Sequence, residues 1–231
     1  MPWKDKMQTT EADDRIFWAI TRYGYFCVRM APYIDIHTHS RNAAATDVVA
    51  LHAYRLGVDA VEPQSPFSAG IHPWDATGMV DSLSAIREYL TGCHAIAIGE
   101  IGLDYSGMHK ESAAIQRRVL DMQLGVADRI GMPVVLHCVK SVDDMVSALV
   151  GCNIEAIWHG YIGSQQQTAR ILRAGFRISI GPASLNSPKT VESMREIPLE
   201  SLFLETDDSD VSIETVYSRV ADILRIPIYI Y

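Results

Sequence analysis

A short apolar strand followed by a helical stretch recurs along most of this chain, and that alternation limits the fold more than any other feature. Strand-like runs stand at 33–39, 67–72, 95–100, 133–137, 154–159, 176–180 and 202–207. Helical patterns fill the intervals: Thr46–Leu56, with Gly57 as a stop, then Val80–Leu90, Glu111–Ile130, Val142–Val150, Ser164–Arg173, Val191–Ile197 and Ile213–Leu224. The piece around Val58–Val61 reads as irregular. β-then-α units of this kind imply a parallel sheet covered by helices, and its most economical form is a closed barrel. The expectation is an α/β chain folded as a (β/α) TIM-type barrel. About seven strands are clear, and one β/α unit is reduced.

The 231 residues suffice for one such domain. No linker or low-complexity segment divides them. Residues 1–30 differ in character from the remainder of the chain. Asp13–Cys27 has the pattern of a short amphipathic helix, weakened by Gly24 and by Tyr23, Tyr25 and Phe26. Met30 stands just before the first strand, so residues 1–30 read as an extension and residues 31–231 as the barrel. A truncation lacking residues 1–29 is then expected to fold.

A net charge of −8 argues against a broadly basic nucleic-acid surface but not against a nucleic-acid substrate, since bound metal adds local positive charge. Cys27, Cys93, Cys138 and Cys152 show neither a C-x-x-C spacing nor a disulfide framework, and read as free thiols. No apolar run approaches a membrane span, and the N-terminus is unlike a signal peptide. These features point to the cytoplasm, with no membrane and no obligate protein partner.

The chemistry collects at the strand ends. The first strand closes on His37-Thr38-His39, where alternation places both imidazoles, and Asp35 below them, on one face. Four further strands end in Glu100, His137, His159 and Asp207. In a (β/α) barrel these ends surround one mouth, the place where active sites form. Each residue alone has an ordinary structural explanation: a rim histidine, a turn aspartate, a buried ion-pair glutamate. Six at equivalent positions are not what those explanations predict. Four imidazoles and two carboxylates suffice for two divalent ions bridged by one carboxylate, and the donor set suits zinc, manganese or magnesium alike. Cys138, next to His137, faces away.

On these residues the chain resembles the TatD family of metal-dependent hydrolases, TatD-like DNases within the amidohydrolase-like barrel group. The matching stretches are Asp35-Ile-His37-Thr-His39, Ala69-Gly-Ile-His72-Pro-Trp74, Ile98-Gly-Glu100-Ile-Gly-Leu-Asp104-Tyr105, Pro133-Val-Val-Leu-His137, Trp158-His159-Gly-Tyr161-Ile-Gly163 and Leu204-Glu205-Thr-Asp207. The resemblance implies a binuclear site hydrolysing phosphodiesters in DNA or small phosphoesters. It assigns His37, His39, Glu100 and Asp207 to one metal, and Glu100, His137 and His159 to the other. His72 and Asp104 match polar positions near the substrate.

Such a site lowers the pKa of a metal-bound water from about 16 towards 7 and clamps the attacked phosphate. Asp207 could take the water's proton while binding metal, with Glu100 as the bridging catalytic carboxylate. Lys140, Tyr161 and Trp74 follow strand ends and could contact phosphate or stack on a base. Glu205 and Asp35 are expected as buried groups behind the ligands.

The sequence also departs from that pattern. His39 and His72 stand close together, Lys140 occupies the place of the usual basic residue, and Asp208-Ser209-Asp210 forms an acidic loop where proline-containing sequence is more frequent. Pro227–Tyr231 offers no closing helix. Two other readings remain open: a related binuclear hydrolase of C–N or C–O bonds, and a degenerate, non-catalytic metal binder. The first would commonly bridge its metals with a carboxylated lysine at a strand end, and no lysine stands there.

Overall fold

The computed structural model describes residues 33–40, 47–63 and 66–227. Eight parallel strands form one sheet in chain order: β1 (Tyr33–Thr38), β2 (Val48–Arg55), β3 (Phe67–Gly70), β4 (Ala97–Asp104), β5 (Val134–Val139), β6 (Ala156–Trp158), β7 (Arg177–Ile180) and β8 (Leu202–Leu204). The sheet curls into a nearly closed barrel. At its mouth, Asp207 N–H donates to the His37 carbonyl at 3.0 Å and His39 N–H donates to the Asp207 carbonyl at 2.9 Å. This bridge joins β1 to the segment leaving β8.

The helices covering the barrel are α1 (Leu83–Gly92), α2 (Ala113–Ile130), α3 (Val142–Leu149), α4 (Gln165–Arg173), α5 (Pro188–Met194) and α6 (Ile213–Leu224), supplemented by short helical turns. Their ends follow local chemistry. Gly131 closes α2 in the left-handed region at φ 67°. Ser164 and Gln167 form a reciprocal capping box on α4. The Ser212 side chain accepts the Thr215 N–H at the start of α6.

Two apolar layers result from this geometry. Ile36, Leu51, Ala97, Val135 and Ile157 meet inside the barrel with Phe203 against them. A larger cluster, including Ile98, Leu103, Leu120, Trp158 and Val216, fills the space between strands and helices. Every residue of β4 is buried because both faces of that strand are covered.

One expected element is overturned. Val48–Arg55, most of the run read as a helix at Thr46–Leu56, is strand β2, paired with both β1 and β3. The barrel therefore has eight strands rather than seven. Among the described residues no helix lies between β1 and β2 or between β2 and β3. On the outer side, a cavity of about 590 Å³ opens between β1, β2 and the start of α6, bordered by Asp35, Thr38, Val48, Ala50, Val211 and Ile213. The helix expected at Asp13–Cys27 and the final residues 228–231 lie outside the described residues. Among those described, no helix is long and apolar enough to cross a membrane.

Candidate metal centre

Two β-bulges aim the side chains at the barrel mouth. Between β1 and β2 the pairing runs Asp35 to Ala50 and then Thr38 to His52, so β1 carries one extra residue. Between β4 and β5 it runs Ile98 to Val134 and then Ile101 to Leu136, another extra residue, at Gly99-Glu100. A one-residue slip exchanges the faces of a strand. In β1 it sends Ile36 and His37 inward while Asp35 turns outward.

Glu100, 3% exposed, stands at the centre. Its Oε1 lies 2.6 Å from His137 Nδ1 and 2.6 Å from His159 Nε2. Its Oε2 lies 3.7 Å from His37 Nε2 and 3.5 Å from His39 Nε2. Asp207 Oδ1 completes the second side, 3.6 Å from both His37 Nε2 and His39 Nε2. One carboxylate thus faces two imidazole pairs through its two oxygens. Several triads in this cluster, including His37–His39–Asp207 and His37–Glu100–His159, have ligand atoms within 4.8 Å of one another.

The buried polar atoms also fit a cation. Both nitrogens of fully buried His37 lack a hydrogen-bond partner, as do His159 Nδ1 and Glu205 Oε2. Unpaired buried donors and acceptors are costly, and a metal ion held between His37, His39 and Asp207 would satisfy His37 Nε2 directly. Two imidazoles crowding Glu100 Oε1 likewise place N–H protons where a cation would supply charge.

The charges are strongly coupled. Burial would raise the Glu100 carboxyl, but His159, His137 and His39 hold it well below the usual range. Burial and the neighbouring His159 drive His37 well below its ordinary value, so it stands neutral and ready to coordinate. His159 goes the other way: Glu100 and Glu205 overcome its burial and raise it well above the usual value. Burial, with Glu205 and Glu100 beside it, pushes the Asp207 carboxyl up to about 6. Asp207 also adopts the left-handed backbone at φ 57°, a conformation aspartate tolerates better than most residues.

The expected companions take varied places. Glu205 is fully buried and accepts the Gly160 N–H at 2.6 Å, with His159 Nδ1 3.6 Å away. That is where a carboxylate can orient a ligating imidazole. Asp104 stands above Glu100, its Oδ2 3.4 Å from His137 Nε2. His72 was expected among substrate contacts, yet its Nε2 sits 3.4 Å from both Glu100 Oε1 and His137 Nδ1. It joins the groups that could hold an ion. Lys140 is exposed and left-handed at φ 54°, directly after β5.

Two expectations fail. Asp35 does not lie under the ligands: the bulge turns it outward, where Thr206 N–H and Thr206 Oγ1 meet its carboxylate at 3.0 and 2.6 Å. Tyr161 does not face the mouth. It is 4% exposed, with its hydroxyl 2.8 Å from Thr168 Oγ1, because Gly160 at φ 54° turns the chain just after His159. Cys138 stays off the ligand face as expected, its Sγ 3.3 Å from Ser141 Oγ and its thiol pushed up to about 11 by burial. A residue that strand reading overlooked is His109, stacked on Trp74 with ring centroids 5.1 Å apart. No strand end marks it.

Comparison with known proteins agrees with this geometry. The family model described as TatD related DNase matches residues 53–215. The protein named Deoxyribonuclease Tat-D from Schizosaccharomyces pombe is 29% identical over 155 residues, covering 61% of this chain and 50% of that protein. The 3'-5' ssDNA/RNA exonuclease TatD of Musicola paradisiaca is 32% identical over 165 residues, covering 68% of this chain and 61% of its own length. The crystal structure of YJJV, a TatD homolog from Escherichia coli, superposes with a TM-score of 0.69 at 24% identity, covering 86% of this chain and 92% of that one. The chain spans little more than half the length of several curated relatives it matches.

Proposed function

Because the chain belongs to the family of TatD-related DNases, we propose that its barrel mouth is a binuclear metal centre hydrolysing phosphodiester bonds, with deoxyribonuclease activity on DNA. The observation that carries this reading is Glu100, whose two carboxylate oxygens face separate histidine pairs. That is the disposition of a bridging ligand. His37, His39, Asp207 and Glu100 would hold one divalent ion, and Glu100, His137 and His159 the other, as zinc, manganese or magnesium. The names of the S. pombe and M. paradisiaca relatives support a nucleic-acid substrate.

Bound divalent ions would supply Lewis acidity, lowering the pKa of a coordinated water and neutralising charge on the attacked phosphate. The remaining work falls to side chains. Asp207, one third exposed on its side chain and raised to about 6 by burial, would accept a proton from the attacking water. Glu100, held ionised by the surrounding imidazoles, keeps the two ligand sets at a fixed separation. Glu205, its Oε1 3.6 Å from His159 Nδ1, would orient the His159 ring so that Nε2 faces the centre. Lys140 offers a positive charge on a flexible stem at the rim, suited to a phosphate oxygen. Asp208 and Asp210 disfavour close approach of a long polyanion on their side of the mouth, directing it towards β3 to β5. The unit is taken as residues 31–231, since all eight strands fall within it. Cytoplasmic residence is consistent with Cys93, Cys138 and Cys152 being free thiols.

Hydrolysis of a phosphodiester dye and of single-stranded DNA, compared between wild type and Glu100→Ala, tests this reading. Wild type is expected to cleave both. The variant is expected to lose at least about 100-fold in kcat/KM, since altering even a group behind a ligand costs about 10- to 100-fold. A variant within threefold of wild type would refute the bridging role.

A further inference from the structure

Trp74 is an aromatic side chain left at the surface beside the ligand cluster. It follows β3 in the short turn Pro73–Asp75 and remains 49% exposed. Indoles usually lose most of their surface on folding, so an indole half in water needs a reason. This one is also held rigidly. Its Nε1–H donates to Asp104 Oδ2 at 2.7 Å, and the His109 imidazole stacks on it with an interplanar angle of 12°. The Arg55 guanidinium lies 5.9 Å from the ring centroid and is itself fixed by Asp75 at 2.7 and 3.1 Å.

Its position matters as much as its exposure. The ring stands edge-on to His72 at 4.6 Å and to His137 at 6.0 Å between centroids. Both histidines belong to the ligand cluster. The indole is therefore one side chain away from the ligand cluster. Met108, 78% exposed, adds apolar surface next to His109.

We propose that Trp74, backed by His109, is the stacking platform for the nucleobase adjoining the phosphodiester bound at the ligand cluster. In a duplex each base is already stacked and its faces are unavailable, whereas a single strand offers them to aromatic side chains. The platform is insensitive to sequence, because every base has a π-face. Its fixed geometry lowers the ordering cost on binding. This inference rests on the phosphodiesterase reading for the identity of the ligand, yet it can be tested by binding alone.

The alternative is that Trp74 only pins Asp104 and thereby His137. Two substitutions separate the roles: Trp74→Phe keeps a stacking face and loses the N–H donor, while Trp74→Ala loses both. The measurement is fluorescence anisotropy of a labelled phosphorothioate oligothymidine, and of the same strand with abasic positions throughout, on full-length metal-loaded protein. Wild type is expected to bind the base-bearing strand at least about 10-fold more tightly than the abasic one. Trp74→Ala should weaken oligothymidine binding about 10- to 100-fold, leave abasic binding within threefold, and so erase the discrimination. Trp74→Phe should retain binding within about fivefold. Equal weakening by Trp74→Phe and Trp74→Ala on both strands would overturn the platform and leave a positioning role through Asp104. Equal binding of both strands by wild type, or no binding of either, would overturn it as well. Base-dependent binding without hydrolysis would uphold the platform while refuting the phosphodiesterase reading. Circular dichroism of each variant establishes that it is folded.

Discussion

Replacing Asp35 by asparagine should stabilise the metal-free protein above neutral pH and leave it little changed in acid. Asp35 is 4% exposed. Burial, and more weakly the charge of Glu205, raise its carboxyl from 3.8 to about 6 against the opposing bonds from Thr206. The hydrogen-bond chain explains why the neutral acid suits this place. Thr206 Oγ1 lies 2.6 Å from Asp35 Oδ2 and 3.0 Å from Thr38 Oγ1, and Thr38 Oγ1 donates to the Asp207 carbonyl at 3.3 Å. The Thr206 hydroxyl has one proton and can serve only one of its two neighbours. A protonated Asp35 resolves this by donating to Thr206, which donates to Thr38. An asparagine NH2 can make the same donation.

The magnitude comes from linkage. Below the unfolded value of 3.8, both states are protonated and ionisation costs nothing. As pH rises towards about 6, the unfolded chain ionises and the folded one does not. The stability gained from protonation in the fold is lost through that window. Above it, the folded protein carries a buried carboxylate at a cost of about 3 kcal/mol. Asparagine removes that cost, worth a rise of roughly 6–12 °C in Tm at about pH 8 for a chain of this size. The assay is thermal unfolding of chelator-treated wild type and Asp35→Asn at about pH 4 and about pH 8, on either side of the titration. A variant destabilised at the higher pH, or stabilised equally at both, would refute the account.

Other consequences are open to direct measurement. Glu205→Gln should weaken metal binding about 10- to 100-fold, since the carboxylate behind His159 loses its charge while keeping its shape; calorimetric titration reads this, and unchanged affinity would remove Glu205 from its orienting role. Metal affinity should rise with pH through about 6, where Asp207 titrates, and keep rising above 6.5, with protons released on binding, because the raised histidines His39, His137 and His159 must also give up protons to become ligands. Titrations in buffers of different ionisation enthalpy check the released protons, and a pH-independent affinity would contradict the cluster's charge state. Gly102→Ala should destabilise the fold by about 3 kcal/mol or more, because its Cβ would lie 1.9 Å from the His137 carbonyl oxygen at a φ of +154°. Urea unfolding measures the loss, and a neutral result would mean that β4 and β5 are less tightly apposed than the structure has them.

Much of the cluster was readable from its places at the ends of apolar runs. Glu100, His137, His159 and Asp207 each close an apolar run, and the barrel brings them together as expected. What escaped did so for local backbone reasons. The bulge in β1 reversed Asp35 relative to His37, and no sequence pattern announces a one-residue slip. Gly160 turned Tyr161 into the helix layer. The run Val48–Arg55 lacks period-two alternation because it is a strand with neighbours on both edges and apolar residues on both faces. Its alanine and leucine content mimics a helix. Tertiary pairing with β1 and β3 overrode that propensity. The Trp74–His109 stack depends on a contact between separate loops, which strand positions do not encode.

The central claim is that Glu100 bridges two metal sites at the barrel mouth. It is tested most directly by counting bound divalent ions per chain in wild type and Glu100→Ala after equilibration with zinc, manganese or magnesium and removal of free ion. About two ions per wild-type chain and at most one in the variant are expected, the usual result of deleting a bridging ligand. Two ions in both proteins would contradict the bridge, and none in wild type would contradict the metal centre itself.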